Sequence, residues 1–198
     1  MTKGDLELKI ILVVPAPTPP NPAAPTTEWV ADEEHFSRVL RLALGARHSL
    51  WLGTADIKDL YVATGRSERP FLGELARLLE RGVEVRLIHA KEPGPNFRAD
   101  FDRYPLLSTQ LERVLCPRVH FKLVVVDGLA AYIGSANLTG AGMGMKSPRR
   151  RNFEAGVLTR EPSLVAAAME EFDKVWRGSE CTRCGRRAHC PDPVSDQG

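Results

Sequence analysis

The run His120-Phe121-Lys122-Leu123-Val124-Val125-Val126-Asp127-Gly128-Leu129-Ala130-Ala131-Tyr132-Ile133-Gly134-Ser135-Ala136-Asn137 embeds a few polar side chains in apolar sequence. Asp127-Gly128 between two apolar runs is a strong hairpin signal. A two-residue turn there sets Val126 opposite Leu129, His120 opposite Ser135 and Lys122 opposite Ile133. Opposed residues, and residues two apart, share a face. The expectation is that His120, Lys122, Ser135 and Asn137 project together from one face at one end of the hairpin. An imidazole, an ammonium, a hydroxyl and an amide are costly to bury unpaired, and their convergence marks a ligand pocket. Asp127 has the opposite parity, so it reads as a turn or inter-element hydrogen-bonding residue.

A second set is sulfur chemistry. Cys181-x2-Cys184-x5-Cys190 has metal-ligand spacing, and a tetrahedral site needs a fourth ligand. Cys116 and His189 are the candidates. His189 adjoins Cys190, which makes joint ligation awkward, so Cys116 is preferred, with a structural zinc as the default metal. An iron–sulfur cluster is the alternative, because Cys190-Pro191 also suits cluster sites, and free thiols are the plain reading.

The order His120-x-Lys122, Asp127, Gly134-Ser135-x-Asn137, followed by Glu154 in Asn152-Phe153-Glu154, resembles the signature of the phospholipase D superfamily of phosphodiesterases. From about Glu28 to Trp176 the element order is similar to its small single-motif bacterial nucleases. The candidate catalytic set is therefore His120, Lys122, Asp127, Ser135, Asn137 and Glu154. The resemblance implies that His120 is the nucleophile, forming a phosphohistidine. Lys122 and Asn137 then supply charge and donors to phosphate oxygens, Ser135 hydrogen-bonds at the same site, and Glu154 fixes the His120 tautomer. The superfamily takes its general acid from a second histidine in a second motif. Only one motif is present here, and His35, His48, His89 and His189 lie outside any His-x-Lys context. The expectation is a two-fold homodimer sharing one site. No cofactor is required for catalysis, and the sequence has no carboxylate cluster for a magnesium pair.

These residues must be held by a framework, and its signals alternate. Asp32 to Leu44, with Gly45 behind, is spaced as a helix, as are Phe71 to Leu79 before Arg81-Gly82 and Pro162 to Trp176. Ser49 to Leu52, Val83 to Ile88, His120 to Val126, Leu129 to Gly134 and Phe153 to Leu158 read as strands. Lys91 to Tyr104 reads as a loop and Pro105 to Arg113 as a short helix. The predicted class is α/β, with a mixed sheet flanked by helices. Three regions are expected: a strand and proline-rich arm over 1–27, with its strand at Leu6 to Val14; a catalytic domain over 28–177; and a Cys- and Arg-rich tail over 178–198.

The 198 residues carry 27 basic and 25 acidic side chains, a net charge of +2, so anion binding must come from local clustering. Lys146, Arg149, Arg150 and Arg151 provide it, in a loop between Asn137 and Glu154 that suits a nucleic-acid backbone. Gly140, Gly142 and Gly144 make that loop a candidate lid. Apart from Met143, Met145 and the short N-terminal run, no apolar or amphipathic membrane-contacting surface is evident, so nucleic acid is favoured as substrate over phospholipid. A non-catalytic nucleic-acid-binding module is the remaining alternative, and it would not need a nucleophile. The apolar run Ile10 to Val14 is short of the roughly 20 residues of a spanning helix and the roughly 7–15 of a signal-peptide core, so a cytoplasmic location is the default.

Overall fold

The computed structural model describes residues 26–58, 60–64 and 67–194. The strand expected over Leu6 to Val14, and the proline arm up to residue 25, lie outside the described residues. In chain order the elements begin with β1 (Thr27–Ala31), and a π-helical turn (His35–Val39) that runs into α1 (Leu40–Leu44). Next are β2 (Ser49–Thr54), β3 (Ile57–Lys58), β4 (Tyr61–Thr64), β5 (Ser67–Pro70), α2 (Phe71–Glu80) and β6 (Glu84–His89). Then come α3 (Pro95–Asp102), α4 (Pro105–Gln110), β7 (Glu112–Leu115), β8 (Lys122–Val126), β9 (Ala130–Gly134), β10 (Leu138–Thr139), β11 (Ala155–Thr159) and α5 (Pro162–Trp176).

Seven strands form one mixed sheet in the order β1-β11-β9-β8-β2-β6-β7. β2, β6 and β7 run parallel; the pairs from β1 through β11, β9 and β8 to β2 are antiparallel. The sheet separates two cores, as the α/β pattern requires. Leu50, Leu52, Leu75, Leu87, Val124 and Tyr132 pack with the first two helices on one face. Leu123, Val125 and Ala131 meet Val165, Ala168 and Phe172 of α5 on the other. Phe172 stacks between Trp51 and Trp176, at centroid distances of 5.1 and 5.8 Å. A ring so placed is worth about 3–5 kcal/mol against alanine.

The central hairpin departs from the expected register by one residue. Asp127 (φ 55°) and Gly128 (φ 64°) are both left-handed, and Leu129 N–H closes the turn on Val126 O at 3.0 Å. The ladder then pairs Val126 with Ala130, not with Leu129, and Leu129 is left outside it as an exposed bulge residue. Lys122 therefore faces Gly134, and not Ile133, so the pairing of His120 with Ser135 fails as well. The cause lies in the neighbours. The Asp127 carboxylate accepts the backbone N–H groups of Arg47, His48 and Ser49, at 2.7 Å for His48, and so pins the turn to the start of β2. Further along, the Tyr132 side chain packs against Gly134 and Gly156, where a Cβ would sit 2.3 Å from its hydroxyl and 2.6 Å from its ring. Only the face shared by those paired glycines admits the ring.

Three other expectations are corrected. Within the supposed loop from Lys91 to Tyr104, Pro95 opens α3, which buries Phe97. The helix expected to reach Arg113 stops at Gln110, and Glu112–Leu115 becomes an edge strand on β6. The glycine-rich segment after Thr139 is packed and is not a free lid. Met143 has no exposed surface, its N–H donates to Thr139 O at 2.8 Å, and Asn152 N–H donates to Ala141 O at 3.1 Å.

Candidate active site

Lys122 opens β8 with only 6 % of its surface exposed, whereas His120, two residues earlier, is exposed. The ammonium donates to the His120 carbonyl at 2.6 Å and lies 3.2 Å from Nδ1 of the ring. Burial pushes the Lys122 pKa down, and the negative charge of Glu154 works in the opposite sense. The pairing Lys122–Gly134–Gly156 runs across β8, β9 and β11. Glu154 stands just before β11, and its charge is felt at Lys122.

The two remaining motif residues reach the site by leaving the strand, not by alternating along it. β9 ends at Gly134, and the buried Tyr132 hydroxyl accepts the Ala136 N–H at 3.2 Å. Burial and the Glu154 charge, outweighing that N–H, push the Tyr132 pKa up to about 12, so the phenol stays neutral. Ser135 then donates to Glu154 Oε2, and its Oγ accepts Ala155 N–H at 3.0 Å. Asn137 spans the start of β8 to reach β2 on the far side. Its Oδ1 accepts from Thr54 Oγ1, Ala55 N and Asp56 N, each at 3.2 Å. With Oδ1 so engaged, the Nδ2 hydrogens are aimed elsewhere; they make no hydrogen bond among the described residues, and they are the donors left for a ligand.

Glu154 is held differently from the expectation. Its Oε1 accepts Asn152 Nδ2 at 3.0 Å and its Oε2 accepts Ser135; no bond to the His120 ring is present among the described residues. Asp127 sits at the opposite end of β8 from His120 and makes the backbone clamp described above. Burial would raise its pKa, but the Ser49, His48 and Arg47 N–H donors outweigh that and hold it below the usual carboxylate range.

Of the basic loop, Arg151 is committed to Glu33 at 2.6 Å, Lys146 is half-buried, and Arg149 and Arg150 are exposed. The other histidines offer no second site imidazole. His35 is buried edge-on against Tyr132, with Nδ1 on Asp32 O at 2.9 Å, and His89 is buried with Nδ1 on Lys91 O at 2.8 Å. His48 lies at the Asp127 end and His189 on the tail. Sequence reasoning did not single out Tyr132, Thr54 or Phe153. The signal for Tyr132 was an aromatic residue two before Gly134; Phe153, beside Glu154, is 95 % exposed and not a strand residue.

The four cysteines are free and line one cavity of about 320 Å³. Among the described residues no three or more His, Cys, Asp or Glu side chains are drawn together as a single ion requires. No described helix is long and apolar enough to cross a membrane.

Comparison with known proteins places this arrangement. A family model described as "Cardiolipin synthase, PLD-like domain" matches residues 40–176. The mitochondrial cardiolipin hydrolase of Danio rerio is 28% identical over 149 residues, covering 73% of this chain and 58% of the relative, so the chain spans less than two thirds of that protein's length. Among solved structures, the phospholipase D family member Nuc from Salmonella typhimurium aligns with a TM-score of 0.55 and 22% identity, over 76% of this chain and 93% of that one. NucT from Helicobacter pylori aligns with a TM-score of 0.57 and 13% identity, over 76% of this chain and 96% of that one.

Proposed function

The chain belongs to the phospholipase D-like family, and from that premise we propose that it hydrolyses nucleic-acid phosphodiesters through a phosphohistidine on His120, at a site shared by two copies. The observation that carries the reading is an exposed imidazole beside a buried ammonium, with no second imidazole of the same chain at hand. His120 attacks phosphorus and the P–O bond to the leaving group breaks. The second copy's His120 gives its proton to the departing oxygen and then takes one from the water that cleaves the P–N bond, restoring both rings. Lys122 and the Asn137 Nδ2 hydrogens stabilise the charge on the non-bridging oxygens throughout. Because those groups carry the charge stabilisation, turnover persists in chelator.

Glu154 acts through Ser135 and through its charge on Lys122. Phe153 and the exposed Arg149 and Arg150 support the nucleic-acid reading. A base stacks on an exposed ring, and paired guanidinium groups track a phosphate backbone. The same ring also suits a bilayer, as do the exposed Trp29 and Leu129, and the cardiolipin hydrolase of Danio rerio is a relative of that description.

The test is a panel of single- and double-stranded DNA, RNA, and cardiolipin and phosphatidylcholine vesicles in excess EDTA. Cleavage of a nucleic acid, abolished by His120→Asn, is expected. Phospholipid hydrolysis with every nucleic acid untouched overturns the substrate assignment. Binding without turnover of any member returns the chain to the non-catalytic alternative.

A further inference from the structure

The C-terminal segment after α5 has no core. From residue 179 to 194 every side chain is exposed except Cys181, Cys184, Cys190 and Val194. In a segment of this size the inward-facing residues are what hold it, and here they are thiols, unpaired with one another. Successive turns present them to one side: Cys184 N–H bonds to Cys181 O, Arg187 N–H to Cys184 O, and Cys190 N–H to Arg187 O. The opposite wall of the cavity is Cys116, contributed by the connection between β7 and β8, together with Phe121, which follows His120 directly.

We propose that Cys116, Cys181, Cys184 and Cys190 ligate a four-iron, four-sulfide cluster that fastens this segment to the connection leading into His120. The proposal stands independently of the substrate reading. Two observations favour a cluster over the zinc first expected. A zinc ion needs all four sulfurs about 2.3 Å from one point. The thiols here line a cavity of about 320 Å³, which has room for a group larger than one ion. The surroundings are also basic: Arg118, Arg186 and Arg187 line the cavity, and Arg118 Nη1 donates to Cys184 Sγ at 3.7 Å. Such a shell offsets the negative charge of four thiolates on a cluster. His189 is exposed and does not line the cavity, which leaves Cys116 as the fourth ligand. The protein contacts that dock the segment are few and polar. Asp192 Oδ2 accepts Leu115 N–H at 3.0 Å, and Arg186 donates to Pro117 O at 3.1 Å.

The full chain, purified without oxygen and reconstituted with ferrous iron and sulfide, should carry about four iron and four acid-labile sulfide per chain. It should show a broad visible absorption that dithionite bleaches. Cys116→Ser and Cys184→Ser should each lose most of that absorption, whereas His189→Ala keeps it. One zinc per chain without sulfide, disulfide-linked cysteines, or a reconstituted protein without iron overturns the proposal. So does a His189→Ala protein that loses its iron while Cys116→Ser retains it.

Discussion

In the proposed reaction Lys122 meets the phosphate, with a charge it keeps less readily than an exposed lysine because burial lowers its pKa. The sign of the consequence is fixed. Between its folded pKa and the ordinary lysine value the unfolded chain binds the extra proton, so this residue makes stability rise with pH across that window. Activity moves the other way, since phosphate binding needs the ammonium. We expect kcat/KM to fall on the alkaline side at a lower pH than an ordinary lysine would dictate, and the falling limb to move to higher pH in Lys122→Arg, whatever the residual rate. Equal alkaline limbs in the two proteins contradict this. Tyr132 acts one step back from the chemistry. In Tyr132→Phe the Ala136 N–H loses its buried acceptor, which costs about 1–3 kcal/mol in denaturant unfolding. The turn carrying Ser135 and Asn137 loosens with it, so kcat drops more than KM changes. A kcat equal to the parent's contradicts a positioning role.

At the scale of elements, the Asp127 clamp joins the β8–β9 turn to the start of β2, at the far end of β8 from His120. Asp127→Ala strands three N–H groups and places a Cβ residue without a compensating side chain at φ 55°. It should cost about 1–3 kcal/mol, part of it recovered by water at this half-exposed position. The parent loses this contribution only as pH falls through the lowered folded pKa of Asp127, below the usual carboxylate range. An acid-unfolding midpoint identical in parent and variant contradicts it. The hairpin shows how far a sequence is readable. Asp127-Gly128 marked the place of the turn correctly, because that signal is local. The register was not local: it is set by backbone donors from β2 and by two glycines, one of them on β11, that make room for Tyr132. The bounds Pro162 to Trp176 were legible because Pro162 and the apolar spacing agree, but the stripe read as Leu164, Ala168, Phe172 and Val175 is shifted: Val165 is buried and Leu164 is exposed. Edge strand β7 and the short α3 carry too few apolar residues to announce themselves.

In the whole molecule, the residue types of the site were legible and its wiring was not. Lys122 lies beside His120 and feels the Glu154 charge, but Ser135 and Asn137 arrive through a turn that alternation does not describe. The proposed reaction needs a second imidazole, and His35 and His89 are buried elsewhere, so the proposal takes it from a second copy. Light scattering of the active species should therefore give twice the chain mass. Full activity from a species with the mass of one chain would remove the shared site. The central claim is the covalent step. Histidine phosphoramidates are acid-labile but survive base, so enzyme quenched in alkali during turnover of DNA or RNA, in EDTA, should yield a phosphoryl-nucleotide adduct on the peptide bearing His120 by mass spectrometry. An adduct on another residue, or undiminished turnover by His120→Asn, contradicts the account.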